Sequence, residues 1–200
     1  MKKGIKRPPP APYTINSAVD VLLKQEFDAH REKGTAHYLI KKYNIEAIPY
    51  KCGQINAWRN NFTGIQFEHK PTDFLVFGAM DDIWVSPKNE LMVVDYKATG
   101  ANEYKIYDSY KRQLEIYQWL LIQNKYKVSK TGYFLFAKVN KNNGFAQGKL
   151  AFDLYLEPQE GDTSWVEGAI INARKTLDGG LPGYNSNCLY CQFAQGGVKP

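Results

Sequence analysis

Cysteine is scarce in this chain, with three in 200 residues. So small and odd a number does not make a disulfide-stapled scaffold, and a chain of this length buries a core without staples. Long apolar runs are missing too. None approaches the ~20 residues that a membrane helix needs, so no membrane span is expected. The first residues, Met1 to Pro12, are basic and carry prolines at 8, 9, 10 and 12, without the apolar stretch of a secretory leader. The expected compartment is therefore the cytoplasm. Hydrophobic residues make up 44% and aromatics 14% of the chain, which places it among globular rather than disordered proteins. Its 26 basic against 20 acidic residues leave a net charge of +6. That leans modestly toward a polyanionic partner and serves ordinary solubility equally well.

Residues 1–13 read as a flexible, basic and proline-rich tail, because proline blocks helix there. Residues 14–200 read as one domain. Asn16 or Ser17 can cap a helix that runs to about Arg31, with Val19, Leu22, Leu23 and Phe27 on one face. Gly34 breaks it, and a second helix is expected over about 35–43. A short helix near 55–59 is weaker. The period then changes. Residues 63–69, 73–85 and 90–98 are rich in β-branched and aromatic residues and read as three consecutive strands, with a turn at Ser86-Pro87-Lys88-Asn89. A long amphipathic helix is expected over 107–125, striped by Tyr110, Leu114, Tyr117 and Leu121. Strands near 131–139 and 149–156 and a last helix near 164–177 follow. This order predicts an α/β fold with a central mixed sheet flanked by helices.

Within that frame, Asp95 and Lys97 are two residues apart on an apolar strand, so they share a face with Val93, while Val94 and Tyr96 share the other. Taken alone, the pair suits a surface ion pair as well as a site. The preceding strand carries two consecutive acids, Asp81 and Asp82, which are costly in an apolar strand unless a cation is near. Only one of them can face Asp95. A four-residue loop between the strands selects Asp82. A loop one residue shorter or longer, or a bulge, selects Asp81. Periodicity leaves the choice open. Either way two carboxylates converge, and hard oxygen ligands suit Mg²⁺ or Mn²⁺. His37, in Gly34-Thr35-Ala36-His37, is by itself no more than a helix histidine. Gln113 and Tyr117 are four apart and share a helix face.

Each signal is weak alone, but their order is specific. G-x-x-H on a helix, G-x-x-D on a strand, D-x-K on the next strand and Q-x-x-x-Y on the following helix resemble the RecB-like branch of the PD-(D/E)XK nuclease superfamily, the CRISPR-associated RecB-like exonuclease type. The resemblance extends over most of residues 14–195 and is sharpest in VVDYKATG and QLEIYQWLL. It implies a restriction-endonuclease-like core and a metal-dependent deoxyribonuclease, either exonuclease or endonuclease. It assigns Asp81, Asp95 and His37 to the metal, Lys97 to the attacking water or the developing charge, and Gln113 and Tyr117 to the lining of the site. DNA that is single-stranded or offers ends is the implied substrate. A separate helicase, or a CRISPR or recombination protein, is the implied partner.

The chain departs from these relatives at the cysteines. Many carry a four-cysteine iron–sulfur cluster, and here only Cys188 and Cys191 match. Gln25 stands at the upstream position and the last falls near Gly197, so no such cluster is expected. A zinc site that uses Cys52 and a histidine has weak spacing support. Trp58, Phe62, Tyr107 and Tyr110 suit either base stacking or core packing. Lys2, Lys3, Lys6 and Arg7 suit either phosphate contacts or a solvated tail.

Overall fold

The computed structural model describes residues 14–180, 183–188 and 190–191. The basic tail lies outside the described residues. Helix α1 (Thr14–Lys33) buries Val19, Leu23 and Phe27 on one face, as the spacing predicts. It ends where Gly34 takes a φ of 62°, a left-handed conformation that costs glycine nothing. Helix α2 (Tyr38–Lys42) is shorter than expected. Residues 35–37 stay outside it because His37 is extended and acts as its cap. A two-residue strand β1 (Ile48–Pro49) and helix α3 (Ile55–Trp58) follow.

The expected three-strand meander is replaced by two separate pairings. Strand β2 (Ile65–His69) pairs only with β3 (Phe74–Gly78), as a two-stranded hairpin. Residues 73–85, expected as one strand, break after Gly78. A Cβ at Gly78 would stand 2.6 Å from the Tyr117 ring, so the glycine lets the backbone come against the long helix as it changes sheets. Strand β4 (Asp82–Val85) then enters the main sheet, beside β5 (Leu91–Thr99). Helix α4 (Asp108–Gln123) leads to β6 (Thr131–Val139), which runs parallel to β5. Strand β7 (Phe152–Glu160) and helix α5 (Val166–Asp178) complete the described core.

The sheet order β1-β4-β5-β6-β7 is mixed, antiparallel except at β5–β6. Strand alternation divides the core in two. Ile83, Val93, Phe134 and Phe136 pack against α3, α4, α5 and the hairpin. Trp84, Val94, Leu135 and Ala137 pack against α1 and α2. The sheet is therefore covered on both faces, the layering expected of a mixed α/β fold. Among the described residues, no helix is long and apolar enough to cross a membrane.

Candidate active site

The loop between β4 and β5 decides which acid faces which side. Asn89 adopts a φ of 57° and donates its N–H to the Ser86 carbonyl, and the Ser86 N–H closes onto Glu90. The loop therefore holds five residues rather than four, and the register pairs Asp82 with Val94. Asp82 joins the Val94 and Tyr96 side, and Asp81 falls across from Asp95.

Asp82 is fully buried, and its carboxylate is crowded with donors. The Arg31 guanidinium pairs with it closely, Arg59 Nη2 reaches it at 3.2 Å, and the Tyr96 hydroxyl donates at 2.8 Å. The Trp84 indole N–H at 3.3 Å and the Ile83 amide at 2.9 Å add to these. Arg31 and Arg59 also grip Asp28 on α1. Asp28 is held below the usual carboxylate range; burial would raise it, but hydrogen bonds and charge from Arg59 and Arg31 overcome that. This network ties α1 and α3 to the sheet and leaves Asp82 no room for a metal.

Asp81 and Asp95 sit in a different setting. Asp95 is 2% exposed. Its Oδ2 lies against the Lys97 ammonium in a close ion pair. Burial first, and then the negative charge of Asp81, push its carboxyl up to about 7 against the opposing pull of Lys97. Asp81 accepts the Tyr96 amide at 2.9 Å and the Lys24 ammonium at 3.2 Å. Its carboxyl is raised, mainly by burial, with Lys24 opposing and Asp20 assisting. Two adjoining acids with raised values form a donor set that fits a hard divalent cation. The described residues contain no group of three or more His, Cys, Asp or Glu side chains that could hold a metal.

Lys97 is positioned through α4. Its Nζ donates to Gln113 Oε1 at 3.1 Å and lies 4.5 Å from the centre of the Tyr110 ring. Gln113 in turn donates its amide to the Tyr117 hydroxyl at 2.8 Å. The Q-x-x-x-Y spacing is thus a relay that orients the lysine, with Tyr117 seated on Gly78. Burial and the nearby acids push the Tyr117 hydroxyl above its ordinary range. Ser17, Asp20, Asp81, Lys97 and Tyr110 line a cleft of ≈ 530 Å³ between α1, β5 and α4. A second cavity of ≈ 440 Å³, walled by Tyr43, Met92 and Tyr133, shares none of these residues.

His37 is not brought to this cluster. Its Nδ1 accepts the Leu39 amide at 3.2 Å, its Nε2 meets Glu26 at 2.8 Å, and its ring stacks on Phe27 at 4.1 Å. Burial lowers its pKa, against the pull of Glu26. With both ring nitrogens engaged, the residue caps a helix and fills the α1-side core. Asp20 lines the cleft instead, paired with Lys24. Their ammonium–carboxylate distance is 2.7 Å, and an i,i+4 pair beside the apolar stripe of α1 was the available sequence signal. Among the aromatics, Trp58 is core, stacked edge-on to Tyr126. Phe62 and Tyr107 are exposed, and Tyr107 meets Tyr110 edge-on at 5.2 Å. Cys52 packs at the α4-side core, and Gln25 is exposed on α1.

A profile of the PD-(D/E)XK nuclease superfamily matches residues 2–195. No curated protein matches the chain. Among solved structures it is similar to SSO0001, at 19% identity and a TM-score of 0.34 over 61% of this chain. The match spans half the length of that protein, and a likeness so distant carries no argument about its residues.

Proposed function

Because the chain belongs to the PD-(D/E)XK nuclease superfamily, we propose that it is a divalent-metal-dependent deoxyribonuclease whose cation is held by Asp81 and Asp95. The observation that carries this reading is the pair of largely buried carboxylates, Asp81 and Asp95, set side by side with the Lys97 ammonium against Asp95. Two carboxylates largely buried side by side repel each other, and a ligated cation removes that cost. His37 is left out of the ligand set. The Mg²⁺ or Mn²⁺ that suits such oxygens lowers the pKa of a bound water and draws charge from the phosphate.

The side chains account for the rest. Asp81 and Asp95 would hold the cation, which would supply positive charge for the phosphate. Lys97 presents an ammonium at the cleft floor, where negative charge builds on the phosphate oxygens. Gln113, itself held by the Tyr117 hydroxyl, accepts a hydrogen bond from that ammonium and orients it beside Asp95. The water oxygen adds to phosphorus as the sugar oxygen leaves, giving a phosphate monoester and a hydroxyl. Exposed Tyr107 and half-buried Tyr110, at the entrance of α4, offer stacking faces for unpaired bases. They favour DNA that is single-stranded or frayed at an end. A RecB-like, CRISPR-associated or repair setting with a separate motor protein agrees with the ordered motifs.

The test is degradation of labelled single- and double-stranded DNA with Mg²⁺, Mn²⁺ or EDTA, comparing the native chain with Asp95→Ala and Lys97→Ala. Metal-dependent loss of substrate, absent from both variants, supports the reading. Binding without cleavage moves the chain to the alternative of a catalytically inactive nucleic-acid-binding member of the same fold.

A further inference from the structure

Three carboxylates meet two ammonium groups at the cleft. Asp20, Asp81 and Asp95 face Lys24 and Lys97, and each lysine is assigned by contact. Lys97 belongs to Asp95. Lys24 stands between the other two, 2.7 Å from Asp20 and 3.2 Å from Asp81. Its side chain is 19% exposed, so this is not a loose surface pair. Asp81 uses one oxygen for the Tyr96 amide and the other for Lys24. A divalent cation bound between Asp81 and Asp95 therefore competes with Lys24 for the charge of the Asp81 carboxylate. Lys97 is already taken up by Asp95 Oδ2, so Lys24 is the ammonium in contact with Asp81.

We infer that Lys24 is a built-in counter-ion that competes with the divalent cation for Asp81, and that Asp20 is the carboxylate onto which it withdraws when the cation binds. This inference rests on the metal reading of Asp81 and Asp95 given above. Lys24 and Asp20 are positioning residues in this scheme, since they act through Asp81. The arrangement has a physical logic. A vacant pair of facing carboxylates repels, and a lysine one helical turn from its own anchor can neutralise one of them without leaving the protein. Because lysine is a point charge on a flexible stem, it can shift between two nearby oxygens at little cost. Arginine, which grips Asp82 on the buried side, would be harder to displace.

The deciding measurement is Mn²⁺ binding to the full chain by calorimetry, without nucleic acid. Lys24→Met should tighten Mn²⁺ on the order of two- to fivefold, the worth of a partly exposed charge pair. Lys24→Arg should weaken Mn²⁺ a few-fold, because a guanidinium is harder to displace from Asp81. Asp20→Asn should weaken it several-fold, because Lys24 then has only Asp81 to pair with. In the double variant, Asp20→Asn should add nothing to Lys24→Met. A residue with a merely structural role would not tighten the metal when removed. The melting-temperature rise on adding Mn²⁺ gives a second readout, and it should be larger in Lys24→Met than in the native chain. Equal or weaker Mn²⁺ binding by folded Lys24→Met overturns the counter-ion role. An Asp20→Asn loss that persists in the double variant overturns the withdrawal onto Asp20. If the native chain binds no Mn²⁺, or Asp81→Asn and Asp95→Ala leave binding intact, the metal reading itself fails.

Discussion

The two adjacent acids of β4 should fail in opposite ways when they are neutralised. Asp82→Asn removes a charge at a site with no solvent access, where two guanidinium groups converge. Arg31 and Arg59 have side chains only 3% and 8% exposed, so they cannot turn to water. Asp28 remains as a partner for both, which limits the loss. Breaking a buried pair from one side costs about 3–5 kcal/mol, and the shared partner places this variant toward the lower end. For a chain of this size that corresponds to a fall in Tm of roughly 6–12 °C. Asp81→Asn should lower Tm by far less, because its side chain is 24% exposed and its lysine keeps Asp20. It should nevertheless abolish Mn²⁺ binding and cleavage, whereas folded Asp82→Asn at low temperature keeps both. Calorimetric melting, followed by Mn²⁺ titration of each variant, separates the two cases. An Asp82→Asn variant that melts like the native chain but has lost the metal would refute the division of roles and the register argument behind it.

Other expectations follow from the same geometry. The carboxyl of Asp95 moves from an ordinary 3.8 to about 7, so its neutral form favours the metal-free fold. That contribution is full below about pH 4 and lost as pH rises through about 7, and Asp95→Asn should flatten this slope in denaturant melts taken across the range. Mn²⁺ needs the charged form, so its affinity should rise about tenfold per pH unit up to about 7 and then level off; a flat profile in calorimetry would contradict this. Gly78→Ala drives a methyl into the Tyr117 ring, and it should cost about 1–3 kcal/mol and lower kcat through Gln113 and Lys97, as read by melting and single-turnover cleavage. His69, whose ring nitrogens lie 2.6 Å from Thr72 and from Glu167, pins α5 to the hairpin; His69→Ala should lower Tm by several degrees and leave kcat unchanged.

Elements with a full period of signal were legible in the sequence. Helices α1 and α4 and strands β5 and β6 fall close to their expected bounds because each carries several apolar residues at the right spacing. Strand β1 has two residues and no period to detect. The break at Gly78 was invisible because both halves of 73–85 are equally β-prone, and the choice between one strand and two is made by packing against Tyr117. The site divides in the same way. Asp95 and Lys97 share a strand, so alternation alone puts them together. Asp81 against Asp82 hangs on one loop residue, Glu90, whose carbonyl closes the turn where composition suggested four residues. His37 was read as a helix residue, but its imidazole takes the capping role, which local hydrogen bonding favours at the start of so short a helix.

The placement of the charges also explains why α1 belongs to the site and is more than a cover for the sheet. One face of this helix reaches the sheet through Arg31, and the same helix reaches the cleft through Asp20 and Lys24, about two turns earlier. The Arg31 end is locked by a saturated carboxylate, so the helix cannot slide without breaking a buried network. The Lys24 end is held by a shared, partly exposed pair that can rearrange within the reach of one side chain. A rigid anchor and a yielding contact on one element let the charge at the cleft change while the backbone that carries it stays fixed. Catalytic geometry needs that combination, since a cation and a phosphate must find the same oxygens in the same place at each turnover.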